Sequence, residues 1–334
     1  MDVLESPMTP EAYGREGNDA QGALTANAVV FTGDKSVELK ALALTDPKDG
    51  DVVVQTEVSG ISMGTEKLFW SGDMPPFPGM GYPLVPGYET VGKVVSAPSN
   101  PELLGRRVFV PGARCFKDAH GLFGGSASQL VVAGDRVHPI DGITAEDGAM
   151  LSLAATAYHA VAAGDPPDLI VGFGVLGRLI HRITLALGHP APTVWEISPA
   201  RASAEGIRAV TAEDDPRRDY RSVYDVSGAA ELVDQLIGRL ATGGTVVLAG
   251  FYPGRISFNF APAFIKEARL RIAAEWSAGE MGELLDLIRS DKLSLDGLIS
   301  HQCSWDEAPA AYETAFTNPD CLKMLLDWRR RTNG

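Results

Sequence analysis

Cysteine is scarce in this chain of 334 residues: Cys115, Cys303 and Cys321 stand far apart and form no C-x-x-C pair. That argues against a disulfide framework and against a cysteine-rich structural zinc site, leaving three isolated thiols. Long apolar runs are missing too. The longest, such as residues 245–249, fall far short of the roughly 20 residues that cross a bilayer. The opening Met1-Asp2-Val3-Leu4-Glu5 lacks the basic end and apolar stretch of a secretion signal, so a cytoplasmic location without a membrane span is expected. Positive charge is in short supply, with 29 Lys and Arg against 43 Asp and Glu and a net charge of −14. Such a balance favours solubility and argues against a nucleic-acid partner. The basic triplet Arg329-Arg330-Arg331 reads as a solvated helix end. Internal repeats and low-complexity segments are absent.

What is present suits a soluble globular protein, with 45% hydrophobic and 22% charged residues and a length comfortable for two domains. Residues 1–26 are polar and acidic without an apolar period, and a disordered tail is expected there. From 27 to about 150 the chain reads as short β-branched strands broken by Gly and Pro, at 28–31, 37–39, 51–58, 91–95, 107–110 and 129–132. That pattern predicts an irregular, partly barrel-like β domain. Thr144-Ala145-Glu146-Asp147 then has the form of a helix start. Helical stretches follow through Met150–Ala154 and over 157–163. Beyond Gly164-Asp165-Pro166-Pro167, strands at 169–171, 193–196, 222–226 and 245–249 alternate with helices at 175–187 and 230–240. A strand at 270–274 and a helix at 281–290 complete an α/β unit over 151–290, a doubly wound parallel sheet. Residues 291–334 are expected to return to the first domain, with a strand near 298–301 and a helix near 322–328.

Gly172-Phe173-Gly174-Val175-Leu176-Gly177 is a G-x-G-x-x-G string. Alone it is weak, but here it follows a buried-type strand and opens a helix whose Leu176, Leu179, Ile180, Ile183 and Leu187 share one face. Gly172 permits the tight turn, Gly174 a close approach to a pyrophosphate, and Gly177 close helix–strand packing. The helix N-terminus offers free N–H groups to phosphate. Glu196 ends the next strand, where a carboxylate accepts the adenosine ribose hydroxyls and repels a 2′-phosphate, so NAD is expected rather than NADP. Arg201 either stacks on adenine or softens that repulsion.

Several strings resemble signposts of the medium-chain dehydrogenase/reductase superfamily. Val85-Pro86-Gly87-Tyr88-Glu89-Thr90-Val91-Gly92 is similar to its P-G-H-E-x-x-G element, with Tyr88 where the zinc-binding His stands. Ser59-Gly60-Ile61-Ser62-Met63-Gly64-Thr65-Glu66 is similar to G-I-C-G-T-D, with Ser62 for the zinc-binding Cys and one apparent insertion. Thr156-Ala157-Tyr158-His159-Ala160 resembles the segment leading into the Rossmann unit, and the third catalytic ligand falls near Ser152. The resemblance implies a GroES-like catalytic domain around a Rossmann domain. Hydroxyls and a phenol are poor zinc ligands and the four-cysteine lobe is missing, so no metal is expected. The resemblance also implies cofactor contacts at Thr156, Gly172, Gly174, Val175, Leu176, Gly177, Glu196, Arg201, Val226, Ser227, Gly250 and Phe251. It further implies a homodimer formed through the last Rossmann strand.

The strings over 69–84, 109–116 and 121–125 are similar to the branch of that superfamily acting on chlorophyllide-type pigments. That likeness runs over nearly the whole chain and implies NAD-dependent oxidation of a 3-(1-hydroxyethyl) group to 3-acetyl on a tetrapyrrole. Without zinc, hydrogen bonding and a base must stabilise the reacting oxygen. Thr65 is the first candidate to touch it, with Glu66, Lys67, Tyr88, Glu89 and His159 as titratable neighbours. Glu66 and Glu89 equally suit loop bracing, Lys67 a solvated position, and His159 a packed helix position. Phe69, Trp70, Phe77, Met80, Tyr82, Phe116 and Phe123 are candidates for a wide aromatic slot, although each singly fits the β-domain core. His120 is set either near a pigment's central magnesium or in an exposed loop. Two other classes remain open: a zinc-free NADPH-dependent quinone or enone reductase, against which Glu196 counts, and a non-catalytic nucleotide-binding partner.

Overall fold

The computed structural model describes residues 24–33, 35–76, 79–121, 123–207, 209–277 and 279–330. In chain order, the first part holds β1 (Thr25–Gly33), β2 (Ser36–Ala43), β3 (Asp51–Ile61), α1 (Thr65–Ser71), β4 (Thr90–Ser96), β5 (Arg107–Val110), β6 (Gln129–Ala133), β7 (His138–Pro139) and α2 (Ala145–Gly148). The middle holds α3 (Leu151–Ala162), β8 (Leu169–Val171), α4 (Val175–Ala186), β9 (Thr193–Trp195), α5 (Pro199–Ala202), β10 (Tyr220–Asp225), α6 (Val233–Arg239), β11 (Leu240–Leu248), α7 (Phe260–Lys266), β12 (Arg269–Ile272) and α8 (Glu280–Arg289). The last part holds β13 (His301–Ser304), α9 (Ala308–Thr317) and β14 (Met324–Asp327).

β3 is the hub of the first part. Its Val52, Val54, Val58 and Ile61 are fully buried, and it pairs antiparallel with β4, β6 and β14. β-Branched side chains suit such a strand, packed on both faces. β1 and β2 form an antiparallel hairpin beside it. Of the tail expected over 1–26, residues 1–23 lie outside the described residues, while β1 already begins at Thr25, which pairs with Ala43.

The middle part is a parallel sheet in the order β12-β11-β10-β8-β9. Alternation along each strand assigns the faces. Ile170, Tyr224 and Val247 pack with Leu179, Ile180 and Ile183 of α4 and with Met281 and Leu284 of α8. Leu169, Val171, Val223, Val246 and Leu248 pack instead with Val233, Leu236 and Ile237 of α6. The strand between β9 and β10 that a full Rossmann sheet carries is reduced to one bridge, Trp195 with Val210.

The expected helix at 322–328 is wrong. Met324–Asp327 is a strand, fully buried, pairing parallel with β13 and antiparallel with β3. A short apolar run has no period that separates buried strand from buried helix, and here the open positions beside β3 and β13 decide. The strand expected at 298–301 lies three residues later, at β13. The two helical stretches between 150 and 163 are one helix, α3, and Thr144 caps α2 by accepting the Asp147 N–H.

Candidate active site and cofactor cradle

β3 ends at Ile61 and α1 begins at Thr65, so Ser62 and Thr65 flank one turn. Facing them is the loop 85–89, whose Gly87, with φ +98°, packs so tightly on Ser126 that a Cβ would meet its backbone N at 2.7 Å. This brings Tyr88 over the turn. Its hydroxyl is hydrogen-bonded to Ser62 Oγ and donates to Thr65 Oγ1 at 3.3 Å. Three hydroxyls thus occupy the place where the superfamily resemblance implies thiolate and imidazole. Burial and the charge of Glu89 push the Tyr88 phenol well above its ordinary value, so it keeps its proton and acts as a donor.

Behind the hydroxyls lies a buried charged cluster. Glu66 and Glu89 have no exposed surface, and Lys323 is 1% exposed. Lys323 Nζ pairs with Glu89 Oε2 and donates to the Ile61 carbonyl at 3.0 Å. Gly60 makes room for this pair, since a Cβ there would run into Glu89 Oε2 and come within 3.1 Å of Lys323 Cε. Tyr312 of α9 donates to Glu66 Oε2 at 2.9 Å and lies 3.4 Å from Ser126 Oγ. Burial, with the Glu89 charge, pushes the Glu66 carboxyl up to about 8. Burial also raises Glu89, against the opposing pull of Lys323. The remaining oxygens, Glu66 Oε1 and Glu89 Oε1, are buried without a hydrogen-bond partner.

Lys323 and Tyr312 are absent from the sequence-based candidates. They lie more than 200 residues from the glutamates they contact, and a lone Lys or Tyr near the C-terminus carries no motif. Two candidates turn elsewhere. Lys67 donates to the Phe316 carbonyl at 2.9 Å, capping α9, and His159 Nδ1 sits 3.0 Å from both Glu280 oxygens, bracing α3 to α8. Ser152 is buried on α3, its carbonyl accepting the Thr156 hydroxyl. Among the described residues no three His, Cys, Asp or Glu side chains gather to hold a metal ion.

The aromatic candidates divide. Phe69 is 1% exposed, so it is core rather than slot wall. Tyr82 donates to the Phe69 carbonyl, and Trp70 packs on Phe316 at 5.3 Å. Phe123 sits on the Tyr88 ring at 4.8 Å, next to the hydroxyls. Met80 is half-buried against the same cluster, Phe116 is nearly buried in the β-domain core, and Phe77 lies outside the described residues.

The glycine loop has the form that a dinucleotide needs. Gly172 has φ +94°, and a Cβ on Gly177 would collide with the Gly172 carbonyl, while Gly174 faces open space. The first-turn amides of α4 have no intrahelical acceptor and are available to an anion. Val226 and Ser227 after β10 and Gly250 after β11 close on the loop: a Cβ at Gly172 would lie 3.3 Å from Ser227 Cα, and one at Gly250 3.4 Å from Val226 Cα. Phe251 beside them is 39% exposed. Glu196 is buried and accepts N–H groups from Phe173 at 2.9 Å and Ser198 at 2.7 Å, and Arg201 Nε at 3.1 Å. Burial opposes ionisation there, but these donors outweigh it and hold the carboxyl below its ordinary value. Arg201 therefore pairs with the carboxylate.

A GroES-like β domain joined to a parallel dinucleotide sheet, with a glycine cradle beside a hydroxyl-lined cleft, defines the medium-chain alcohol dehydrogenase class. Residues 48–142 match the alcohol dehydrogenase GroES-like domain. A short chain alcohol dehydrogenase from Escherichia coli CFT073, complexed with NADH, superposes with a TM-score of 0.79 at 17% identity, over 92% of this chain and 100% of that one. The chain is 54% identical over 311 residues to the 2-desacetyl-2-hydroxyethyl bacteriochlorophyllide A dehydrogenase of Rhodobacter capsulatus, covering 92% of this chain and 99% of the relative. It is 52% identical to the enzyme of the same name from Cereibacter sphaeroides, with the same coverage. The chain belongs to this bacteriochlorophyllide dehydrogenase family.

Proposed function

We propose that the protein oxidises the 3-(1-hydroxyethyl) group of a chlorophyllide-type pigment to 3-acetyl, with NAD as acceptor and without a catalytic metal. The observation that carries the reading is the likeness, over almost the whole chain, to two enzymes named for that pigment. In the step the secondary alcohol loses its carbinol hydrogen as hydride to the dinucleotide and its hydroxyl hydrogen as a proton that passes to water by way of the part-exposed Thr65 hydroxyl. A bound nicotinamide dinucleotide would supply the hydride acceptor. Its holders are Gly172, Gly174, Val175, Leu176 and Gly177 at the phosphates, Glu196 at the adenosine ribose, and Val226, Ser227 and Gly250 along the neighbouring loops. Orphan first-turn amides and a glycine surface that a Cβ would fill support that fit.

The chain's own residues manage the oxygen. Tyr88, un-ionised, and Thr65 hydrogen-bond the substrate oxygen as negative charge develops, and Ser62 holds the Tyr88 hydroxyl in place. Preorganised donors of this kind do what a metal does elsewhere, at lower strength, and positioning supplies part of the remainder. The buried Glu89–Lys323 pair braces the two segments that present them. NAD is favoured because Glu196 puts a carboxylate where a 2′-phosphate would sit, even with Arg201 beside it. A homodimer completes the reading: β12 is the open edge of its sheet, and Ile272 on it is 67% exposed.

The test is the purified protein with 3-(1-hydroxyethyl) chlorophyllide a and NAD or NADP. NADH formation coupled to a red shift of the pigment's long-wavelength band supports the reading. Turnover only with NADPH and an activated C=C substrate would replace it with the enone reductase.

A further inference from the structure

The loop 111–121 carries a pocket that the hydroxyl site does not use. Arg114, Phe116, Ala119, His120 and Gly121 line it together with Gly79 of the facing loop, around a volume of about 230 Å³. Arg114 and His120 are exposed, and among the described residues neither side chain makes an ion pair or a side-chain hydrogen bond. The neighbouring Lys117 is committed to Asp46 at 3.7 Å. Among the described residues most other Arg side chains are ion-paired or hydrogen-bonded, Arg136, Arg255 and Arg269 excepted, and of these four unpaired guanidinium groups Arg114 is the one that lines this pocket.

The pocket is built into the same wall as the hydroxyl site. His120 N–H donates to the Pro83 carbonyl and the His120 carbonyl accepts the Val85 N–H, both at 2.8 Å. Gly124 N–H reaches the Val85 carbonyl at 3.1 Å, and Phe123, three residues beyond His120, covers Tyr88. Two loops therefore run side by side from the pocket to the reacting hydroxyls. The imidazole is held against one of them because Gly81 has no side chain: a Cβ there would stand 2.7 Å from His120 Nε2.

We propose that this pocket is a carboxylate subsite, in which Arg114, with His120 as second donor, receives the free propionate of the pigment while its hydroxyethyl group lies at Tyr88 and Thr65. The inference rests on the function proposed above and adds to it how the pigment is oriented. A guanidinium matches two carboxylate oxygens with two parallel N–H donors, which fixes direction as well as affinity. The acidic surface elsewhere repels the same carboxylate, so only one edge of the macrocycle is welcome at the Arg114 end. Phe116, at the pocket wall, offers an apolar face to the ring carbons next to the propionate.

The experiment compares the free acid of the hydroxyethyl pigment with its propionate methyl ester, in the wild-type holoenzyme and in Arg114→Met and Arg114→Lys. NADH titration by fluorescence checks that each variant keeps its cofactor site. Arg114→Met is expected to raise KM for the free acid about tenfold, with kcat within about threefold and the ester's KM unchanged. Arg114→Lys should fall between, because it restores charge without the two-pronged geometry. Equal KM changes for acid and ester, or no change for either, would overturn the subsite while leaving the dehydrogenase reading intact. Failure of the wild-type protein to oxidise either form would overturn both.

Discussion

In the proposed mechanism Tyr88 carries the heaviest chemical load of any single side chain. Removing its hydroxyl, as in Tyr88→Phe, should lower kcat about 100- to 1000-fold with little change in NADH affinity, the size of effect seen when one oxyanion donor is lost. Steady-state kinetics beside an NADH titration checks this. Glu66 offers a different signal. Its carboxyl is raised from 4.5 to about 8 by burial, so between those values the unfolded chain gives up its proton while the folded protein keeps it. Stability should therefore fall as pH rises through this window and level off above it. Glu66→Gln removes the titration, and thermal melts from pH 5 to 8.5 should show the variant gaining on wild type as pH rises, by up to about 4 kcal/mol. A pH-independent difference would contradict the assignment. Tyr88 and Glu66 were legible because each stands inside a motif. Tyr312 and Lys323 were not, since only the fold carries them to the same cluster.

At the level of elements, β14 decides more than its four residues suggest. It occupies the place beside β3 that lets Lys323 reach Glu89, and it was read as a helix because Met324-Leu325-Leu326 has no period of its own. The steric form of the glycine loop, by contrast, was legible: the turn at Gly172, the open face at Gly174 and the collision at Gly177 follow from glycine spacing directly. Lys323→Met leaves a buried carboxylate without its counter-charge and should cost about 3–5 kcal/mol, while a Lys323→Met/Glu89→Leu double variant should recover part of that stability. Denaturant unfolding of the three proteins measures both. Lys67 and His159 show the reverse failure. Their neighbourhood in sequence suggested the cleft, but α1 aims Lys67 at the end of α9 and α3 turns His159 toward α8.

The two larger sheets share an apolar cluster, in which Val58, Val91 and Phe109 of the β domain pack with Leu179, Ile180 and Val247 of the dinucleotide domain. Strand–helix alternation made the second domain legible. No strand was expected between β9 and β10, and the described residues there carry only the bridge of Trp195 with Val210. The open edge at β12 sets the assembly prediction: Ile272→Lys should shift the protein from dimer to monomer in light scattering coupled to size exclusion. A wild-type protein that runs as a monomer, or a mass unchanged by the substitution, would contradict the proposed β12 interface.

The central claim is that hydroxyl donors, not a metal, hold the reacting oxygen. The most direct test measures pigment oxidation and metal content on the same chelator-dialysed sample. NADH formation with the pigment's red shift, at less than about one metal per ten chains and without stimulation by added zinc, is the predicted result. Activity that disappears on dialysis and returns in proportion to zinc would contradict the account.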